Sequence, residues 1–153
     1  MDINRIINLA AYAGKIMLES GAEIYRVEET ITRISKSYDI YNVDAFVTLN
    51  VIIVSASNEY EQTISVIKRV KQRTLNLEKI SQVNNISRHI KDQCYTLDTI
   101  EDKLSKIDFS KPYSARINIL FSGIAVSFLS LAYGGNMVDF IISFIIGCLI
   151  SLI

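Results

Sequence analysis

The chain has little of the material from which most catalytic and metal sites are built: one histidine and two cysteines among 153 residues. His89 stands alone in a polar stretch, where an exposed helix residue is the ordinary interpretation. Cys94 and Cys148 fall in a polar and an apolar segment, and neither has ligand-type neighbours at metal-binding spacing. A glycine-rich phosphate loop is missing too. We therefore expect no disulfide, no metal, no cofactor and no enzyme activity.

A net charge of either sign is also absent, because 16 basic residues balance 16 acidic ones. The chain therefore has no net positive field with which to gather nucleic acid. The basic run from Lys68 to Arg73 lacks a set of aromatic side chains for stacking on bases, so we interpret it as a face near anionic lipid headgroups. No N-terminal signal peptide is evident, which favours a cytoplasmic location for the first part of the chain.

The charges that are present are unevenly distributed, since Arg116 and Asp139 are the only charged residues after residue 113. Residues 1–111 mix charged and apolar side chains as a domain surrounded by water does. The residues that follow are almost entirely apolar. This change in composition predicts a cytoplasmic domain at residues 1–111 and a membrane part from residue 115 onwards.

Two apolar runs make up the predicted membrane part, at residues 115–133 and 137–153. Each approaches the roughly 20 residues that an α-helix needs to cross the hydrocarbon core of a bilayer. Gly134 and Gly135 supply the backbone freedom for a tight turn between them. Basic residues precede the first run and none lies in the turn, which indicates that the turn faces away from the cytoplasm. Because the second run ends without a polar anchor, we expect the membrane part to be incomplete.

The spacing of apolar side chains predicts the elements of the first domain. Repeats of three and four residues predict amphipathic helices at residues 3–19, 22–39, 76–93 and 96–107. Segments rich in Val, Ile, Phe and Thr predict strands at residues 41–49, 50–57 and 62–70, with a hairpin turn at 58–61. The predicted fold class is α+β: a helical and three-stranded antiparallel cytoplasmic domain followed by a transmembrane helical hairpin.

The second predicted helix begins in a dense group of charges, "SGAEIYRVEET" at residues 20–30. Gly21 is suited to end the helix before it, because glycine adopts the left-handed conformation without a clash. Glu23 and Arg26 are three residues apart and share a helix face, and Glu29 lies three residues beyond Arg26. Three interpretations are open: a solvated helix start, an ionic network that holds the domain together, or a site in which Arg26 binds a carboxylate and Glu23 an amino group.

Asp139 is the one acidic residue of the apolar part. A carboxylate in or just inside a membrane span is costly and often functional. Only two residues separate Asp139 from the predicted turn, where water reaches the chain. Helix capping and the handling of protons or substrate are therefore both open interpretations.

The residues Gly21-Ala22-Glu23 and Arg26-Val27-Glu28 form a pattern that resembles the N-terminal half of the threonine/serine exporter family. That family carries the pattern on the second helix of its cytoplasmic domain. Further stretches agree in the same order, from "FVTLNVIIVS" and "NLEKISQVNNISR" to "YGGNMVDF", which contains Gly134, Gly135 and Asp139. The resemblance covers nearly the whole chain.

The resemblance implies part of a secondary exporter of small polar metabolites in the inner (plasma) membrane, driven by the proton gradient. The substrate would be threonine or serine, or, in two-chain members, a dicarboxylate such as succinate. Glu23, Arg26, Glu28 and Asp139 become candidates for substrate binding or coupling. The implied partners are the lipid bilayer, the metabolite, and further spans or a partner subunit, with a homo-oligomer as another arrangement. A membrane-tethered regulatory or assembly domain without transport is the alternative from a different class.

Overall fold

A computed structural model describes residues 2–57, 63–110 and 115–152 of the chain. The chain divides into two compact units, residues 1–110 and residues 111–153. The elements of the first unit are α1 (Ile3–Glu19), α2 (Ile24–Ser37), β1 (Val43–Val47), β2 (Val51–Ser57), β3 (Thr63–Arg69), α3 (Leu77–His89) and α4 (Leu97–Asp108). The elements of the second unit are α5 (Ala115–Ala132) and α6 (Met137–Ile150).

The helix α1 is the centre of the first unit. Its start is capped by Asp2, whose carboxylate accepts a hydrogen bond from the amide of Asn4 at 3.0 Å. Such a cap satisfies one of the amide groups that a helix leaves unpaired at its first turn. Most of the apolar side chains of α1 are buried, because α2, α3, α4 and the sheet all pack against it. The hydrophobic core of the unit therefore surrounds this helix.

A glycine lets α2 approach α1 closely. A Cβ atom on Gly14 would lie 2.7 Å from Cδ1 of Ile31 and 3.2 Å from Cγ1 of Val27. Both of these α2 side chains are fully buried. The two helices therefore meet where α1 has no side chain at all.

The three strands form one antiparallel sheet in the order β1-β2-β3. Ile52 and Val54 of β2 are buried on the face that α1 covers. Phe46, Ile53 and Ile67 lie opposite one another in register on the other face and are exposed. The strand boundary predicted near residues 49 and 50 is present as the turn between β1 and β2, whereas the hairpin turn predicted at 58–61 lies outside the described residues.

Polar contacts fix α4 against α1. Arg5 of α1 pairs with Asp98 and Glu101 of α4. The hydroxyl of Tyr12 donates a hydrogen bond to Oδ2 of Asp108 at 2.7 Å. Partial burial, helped by this bond to a carboxylate, raises the pKa of Tyr12 above its ordinary value. The phenol therefore loses its proton only at a higher pH than an ordinary tyrosine does, and it remains a donor between the two helices over that wider range.

In the second unit, α5 and α6 form a hairpin whose backbones meet at two glycines. A Cβ atom on Gly147 would lie 3.0 Å from the Cα of Gly123 and 3.1 Å from the carbonyl oxygen of Ser122. The rings of Phe128 and Phe140 meet edge to face, with their centroids 5.6 Å apart. Small residues at the crossing thus allow a close approach that larger side chains would prevent.

The predicted transmembrane hairpin is wrong. Among the residues that the structure describes, no helix has both the length and the apolar character needed to cross a membrane. The helix α5 has 18 residues and α6 has 14. At 1.5 Å per residue both fall short of a hydrocarbon core roughly 30 Å thick. The apolar runs of the sequence extend beyond the ends of both helices, so the length of each run overestimates the length of its helix. The observed architecture of the described residues is six helices with a small three-stranded antiparallel sheet.

Candidate functional site

The motif that begins at Gly21 forms the corner between α1 and α2. Gly21 has a φ of +87°, the left-handed conformation that its place in the sequence predicts. Its amide donates a hydrogen bond to the carbonyl of Leu18 at 3.1 Å, and the amide of Ala22 donates to the carbonyl of Met17 at 3.0 Å. These two bonds are the Schellman arrangement, which satisfies carbonyls at the end of a helix. The corner is therefore a well-ordered helix end.

The segment that joins β3 to α3 holds this corner through backbone hydrogen bonds. The amide of Thr74 donates to the carbonyl of Glu19 at 2.8 Å, and the amide of Asn76 donates to the carbonyl of Ser20 at 3.0 Å. Carbonyl groups at the end of a helix have no partner within the helix, so an external donor is needed when water is excluded. The first turn after α1 is thus fixed by a segment that is distant in the sequence.

Arg73 strengthens the same corner with its side chain. Its guanidinium donates to the carbonyl of Leu18 at 3.1 Å and to that of Ala22 at 3.4 Å. A cation is favoured there because the end of a helix carries partial negative charge. The sequence predicts that the basic run containing Arg73 faces lipid headgroups. Arg73 bonds instead to Leu18, which is 55 positions away, so no local pattern in the sequence predicts this contact. Lys68 of the same run also bonds within the unit, to Oδ1 of Asn8 at 3.2 Å.

Replacing Gly21 tests how much this corner contributes. We expect Gly21→Ala to destabilise the first unit by about 2 kcal/mol, because the left-handed conformation alone costs a residue with a Cβ roughly 1–2 kcal/mol. The new Cβ would also lie 3.2 Å from the carbonyl oxygen of Thr74, a backbone atom of the segment that holds the corner. Native-state hydrogen exchange of the peptides covering α1 and α2 measures the loss.

Gly134→Ala is the matched control for this prediction. Gly134 has a nearly identical φ of +88°, and a Cβ there would meet no atom within 4 Å. The control should therefore lose only the stability that the backbone strain costs, and hydrogen exchange of the peptides covering α5 and α6 measures this loss. Equal losses in the two variants would contradict a contribution from the contact with Thr74.

Glu28 connects α2 to the sheet. Its Oε1 accepts a hydrogen bond from the amide of Val47 at 3.1 Å. Val47 is the last residue of β1, an edge strand whose outer backbone groups have no neighbouring strand to pair with. Glu28, a candidate for substrate binding or coupling from the sequence, is thus placed where it links α2 to β1.

Glu23 and Arg26 lie on the surface at the start of α2. Nε of Arg26 is 3.6 Å from Oε2 of Glu23, and the two side chains are 55% and 65% exposed. An exposed pair of this kind contributes a few tenths of a kcal/mol at most. Glu29, expected from its spacing beside Arg26, forms its ion pair with Arg33. The guanidinium of Arg26 is therefore only loosely engaged and remains accessible.

The apolar residues of the motif belong to the hydrophobic core. Val27 is fully buried, close to Gly14 at the crossing of α1 and α2, and Ala22 is also buried. The motif therefore combines two buried apolar residues with charged residues that face outwards or bond to the backbone. The charged residues, together with the exposed Tyr25, are therefore available to a ligand.

A small cavity lies beside Arg26, among residues of α1, α2 and α3. It has a volume of about 160 Å³, and its polar lining includes Arg26, Glu29, Thr30 and Arg88. A wider groove of about 960 Å³ adjoins it, and Tyr25, Glu29 and Arg88 line both spaces. Local sequence patterns do not predict this cavity, because Arg88 lies on α3, which follows the motif only after all three strands.

Asp139 caps the start of α6. Its Oδ2 accepts a hydrogen bond from the amide of Asn136 at 2.9 Å, while Oδ1 of Asn136 accepts from the amides of Val138 and Asp139. This reciprocal pattern is a capping box. Gly134, in the turn before it, has a positive φ. Capping thus has direct geometric support in this structure, and a coupling role for Asp139 stays a prediction.

Comparison with known proteins places these motifs in a family. A family model described as "Putative threonine/serine exporter" matches residues 8–153, which include the helix corner, the small cavity and the cap of α6. The chain belongs to the threonine/serine exporter family. No curated protein and no solved structure matches the chain.

Membership of this exporter family confirms the resemblance that the motif at residues 21–28 suggested. It supports export of threonine or serine, and with it a small polar substrate and a membrane context. In this family member the motif builds a helix corner, a link to the sheet and one wall of a cavity. The motif is therefore structural in part, and its exposed charges are what a substrate could reach.

Proposed function

We propose that the chain is part of a secondary exporter that moves threonine or serine out of the cell, driven by the proton gradient. In this proposal the first unit works on the cytoplasmic side of the inner membrane, and the chain is not an enzyme. The family match over residues 8–153 carries the proposal. Membrane spans outside the described helices, or a partner subunit, complete the transporter in this proposal.

The geometry supports a role for one part of the motif in handling substrate. Gly21 and Glu28 are engaged in holding the fold, the first through its backbone conformation and the second through its bond to Val47. Arg26 has only a loose contact with Glu23 and lines the small cavity. A guanidinium with free N–H groups is suited to bind a carboxylate, which every amino acid carries.

An efflux assay tests the function. Cells that contain the complete locus and cells that lack it are loaded with threonine, and the threonine that appears in the medium is measured over time. We expect faster efflux in the first strain and loss of this difference when a protonophore collapses the proton gradient. Equal efflux of both threonine and serine from the two strains would reject the proposal.

The variant Arg26→Ala tests the motif within the same assay. We expect efflux to fall about tenfold at unchanged protein abundance, the size of effect that follows from losing a charged hydrogen bond to substrate. Arg69→Ala is the control, because Arg69 is an exposed arginine at the end of β3 and lines neither the cavity nor the groove. Normal efflux from Arg26→Ala would remove this residue from the transport mechanism.

The alternatives give different results in these strains. Efflux of succinate that requires a second chain would indicate a two-chain dicarboxylate exporter. A locus that moves neither class of metabolite would indicate a membrane-tethered regulatory or assembly domain. Glu29 favours the amino acid, because its carboxylate can accept a hydrogen bond from an ammonium group and cannot accept one from a second carboxylate.

A further inference from the structure

The small cavity beside Arg26 has the size of a site for one small metabolite. Its volume of about 160 Å³ is the volume of roughly five water molecules at ~30 Å³ each. Sites for drug-sized ligands begin at about 300 Å³. A small amino acid fits within this volume, whereas a larger one would extend into the adjoining groove.

We propose that this cavity binds the zwitterion of a small α-amino acid, with Arg26 and Arg88 on its carboxylate, Glu29 on its ammonium group and Thr30 beside its side chain. The proposal rests on the proposed export function for its biological setting, and it assigns a ligand site to the first unit itself. The site lies at the edge of the family motif but takes its decisive residue, Arg88, from α3.

The carboxylate end of the site is formed by two arginines. Arg88 has no ion-pair or hydrogen-bond partner among the residues that the structure describes, and Arg26 has only Glu23 at 3.6 Å. Two guanidinium groups and the single carboxylate of Glu29 line the cavity, so an excess of positive charge remains there. A carboxylate complements this charge, since each guanidinium can donate two parallel N–H bonds to it.

The ammonium end of the site is Glu29. Its Oε1 is taken by Arg33, which leaves Oε2 available, and a carboxylate can accept about four hydrogen bonds in total. The cavity offers two guanidinium groups to a carboxylate and Oε2 of Glu29 to an ammonium group, which are the two charged groups of an amino acid. The second carboxylate of a dicarboxylate would find a negative group at Glu29 where an ammonium group would find an acceptor.

The remaining wall fits a short side chain. Thr30, whose residue is 2% exposed, offers a hydroxyl, while Met17 and Ile80 supply an apolar surface. The side chain of a bound threonine has a hydroxyl and a methyl group, so it can contact both the Thr30 hydroxyl and this apolar surface. Burying that one methyl group should favour L-threonine over L-serine by about fourfold in affinity. The groove that shares Tyr25, Glu29 and Arg88 provides the entrance.

Isothermal titration of the purified full chain with L-threonine, L-serine and succinate tests the site. We expect saturable binding of L-threonine, weaker binding of L-serine and none of succinate. Arg88→Gln should weaken L-threonine binding by about tenfold or more, because a charged hydrogen bond to the carboxylate is lost. Glu29→Gln should weaken L-threonine binding and also relieve the repulsion of succinate, which a purely structural role of Glu29 would not do.

Arg69→Gln is the matched control, because Arg69 is an exposed arginine of β3 that lines neither the small cavity nor the wider groove. It should leave the affinity for L-threonine within about twofold of the wild-type value. Absence of L-threonine binding, or equal losses in Arg88→Gln and Arg69→Gln at unchanged thermal stability, would overturn the site. The site and the export function fail separately: binding without efflux rejects the exporter and keeps the site, whereas efflux without binding rejects the site alone.

Discussion

Gly14→Leu should remove about 3 kcal/mol from the free energy of unfolding of the first unit, the upper end of what overpacking usually costs. The reason is the crossing of α1 and α2, where a Cβ on Gly14 would already lie 2.7 Å from Cδ1 of Ile31. Interiors are packed too densely to absorb a whole isobutyl group. Since small domains are stable by only about 5–15 kcal/mol, this loss is large. Hydrogen exchange of the α1 and α2 peptides in the full chain measures it.

A double-mutant cycle supplies the control for Gly14. Alanine at position 14 improves helix propensity by about 1 kcal/mol, but its Cβ collides with Ile31 in the wild-type background. In an Ile31→Ala background the two closest atoms are gone and only Cγ1 of Val27, at 3.2 Å, remains near the new Cβ, so Gly14→Ala should change from destabilising to stabilising. If Gly14→Ala changed the free energy of unfolding in the same direction in both backgrounds, α1 and α2 would not cross where the structure places them.

Gly147→Leu should have an effect of similar size on the second unit, about 3 kcal/mol. A Cβ on Gly147 meets the Cα of Gly123 and the carbonyl oxygen of Ser122, at 3.0 and 3.1 Å. These are backbone atoms, which cannot rotate aside as the end of a side chain can. We therefore expect α5 and α6 to separate and the amides of α6 to lose protection in hydrogen exchange, while the peptides of the first unit stay unchanged.

Ile146→Leu is the control on the same helix, because Ile146 is 47% exposed and the substitution conserves volume. It should leave the protection of α6 as it is. The protection of the α6 amides in Gly147→Ala should lie between that of the control and that of Gly147→Leu, since alanine adds only the first of the clashing atoms. Full protection of α6 in Gly147→Leu would mean that the hairpin does not depend on this crossing.

Much of the first unit could be predicted from the sequence, because its elements follow from local patterns. The apolar spacing predicted α1 at residues 3–19, which are its observed bounds. The change to β-branched residues predicted the strands, and Gly21 marked the end of the first helix. The lengths of the helices of the second unit could not be predicted in the same way. Hydropathy shows which residues are apolar, but the hydrogen bonds that end α5 and α6 decide how long each helix is.

The candidate site shows the same limit. Spacing correctly put Glu23 and Arg26 on one face, but it also put Glu29 beside Arg26, whereas Glu29 pairs with Arg33. Both partners satisfy helix spacing, so the sequence could not choose between them. The bond from Val47 to Glu28 and the presence of Arg88 at the cavity depend on how the sheet and α3 pack on α2. No pattern within a helix carries that information.

The sequence by itself determined the family, the elements of the first unit and the position of the corner at Gly21, because each depends on residues that are neighbours along the chain. The tertiary structure alone decided what the motif does. Arg73 reaches the carbonyl of Leu18 across 55 positions, and Arg88 joins Arg26 on one cavity only because α3 packs against α2. Contacts between distant segments are set by packing of the whole core, and a local pattern cannot specify them.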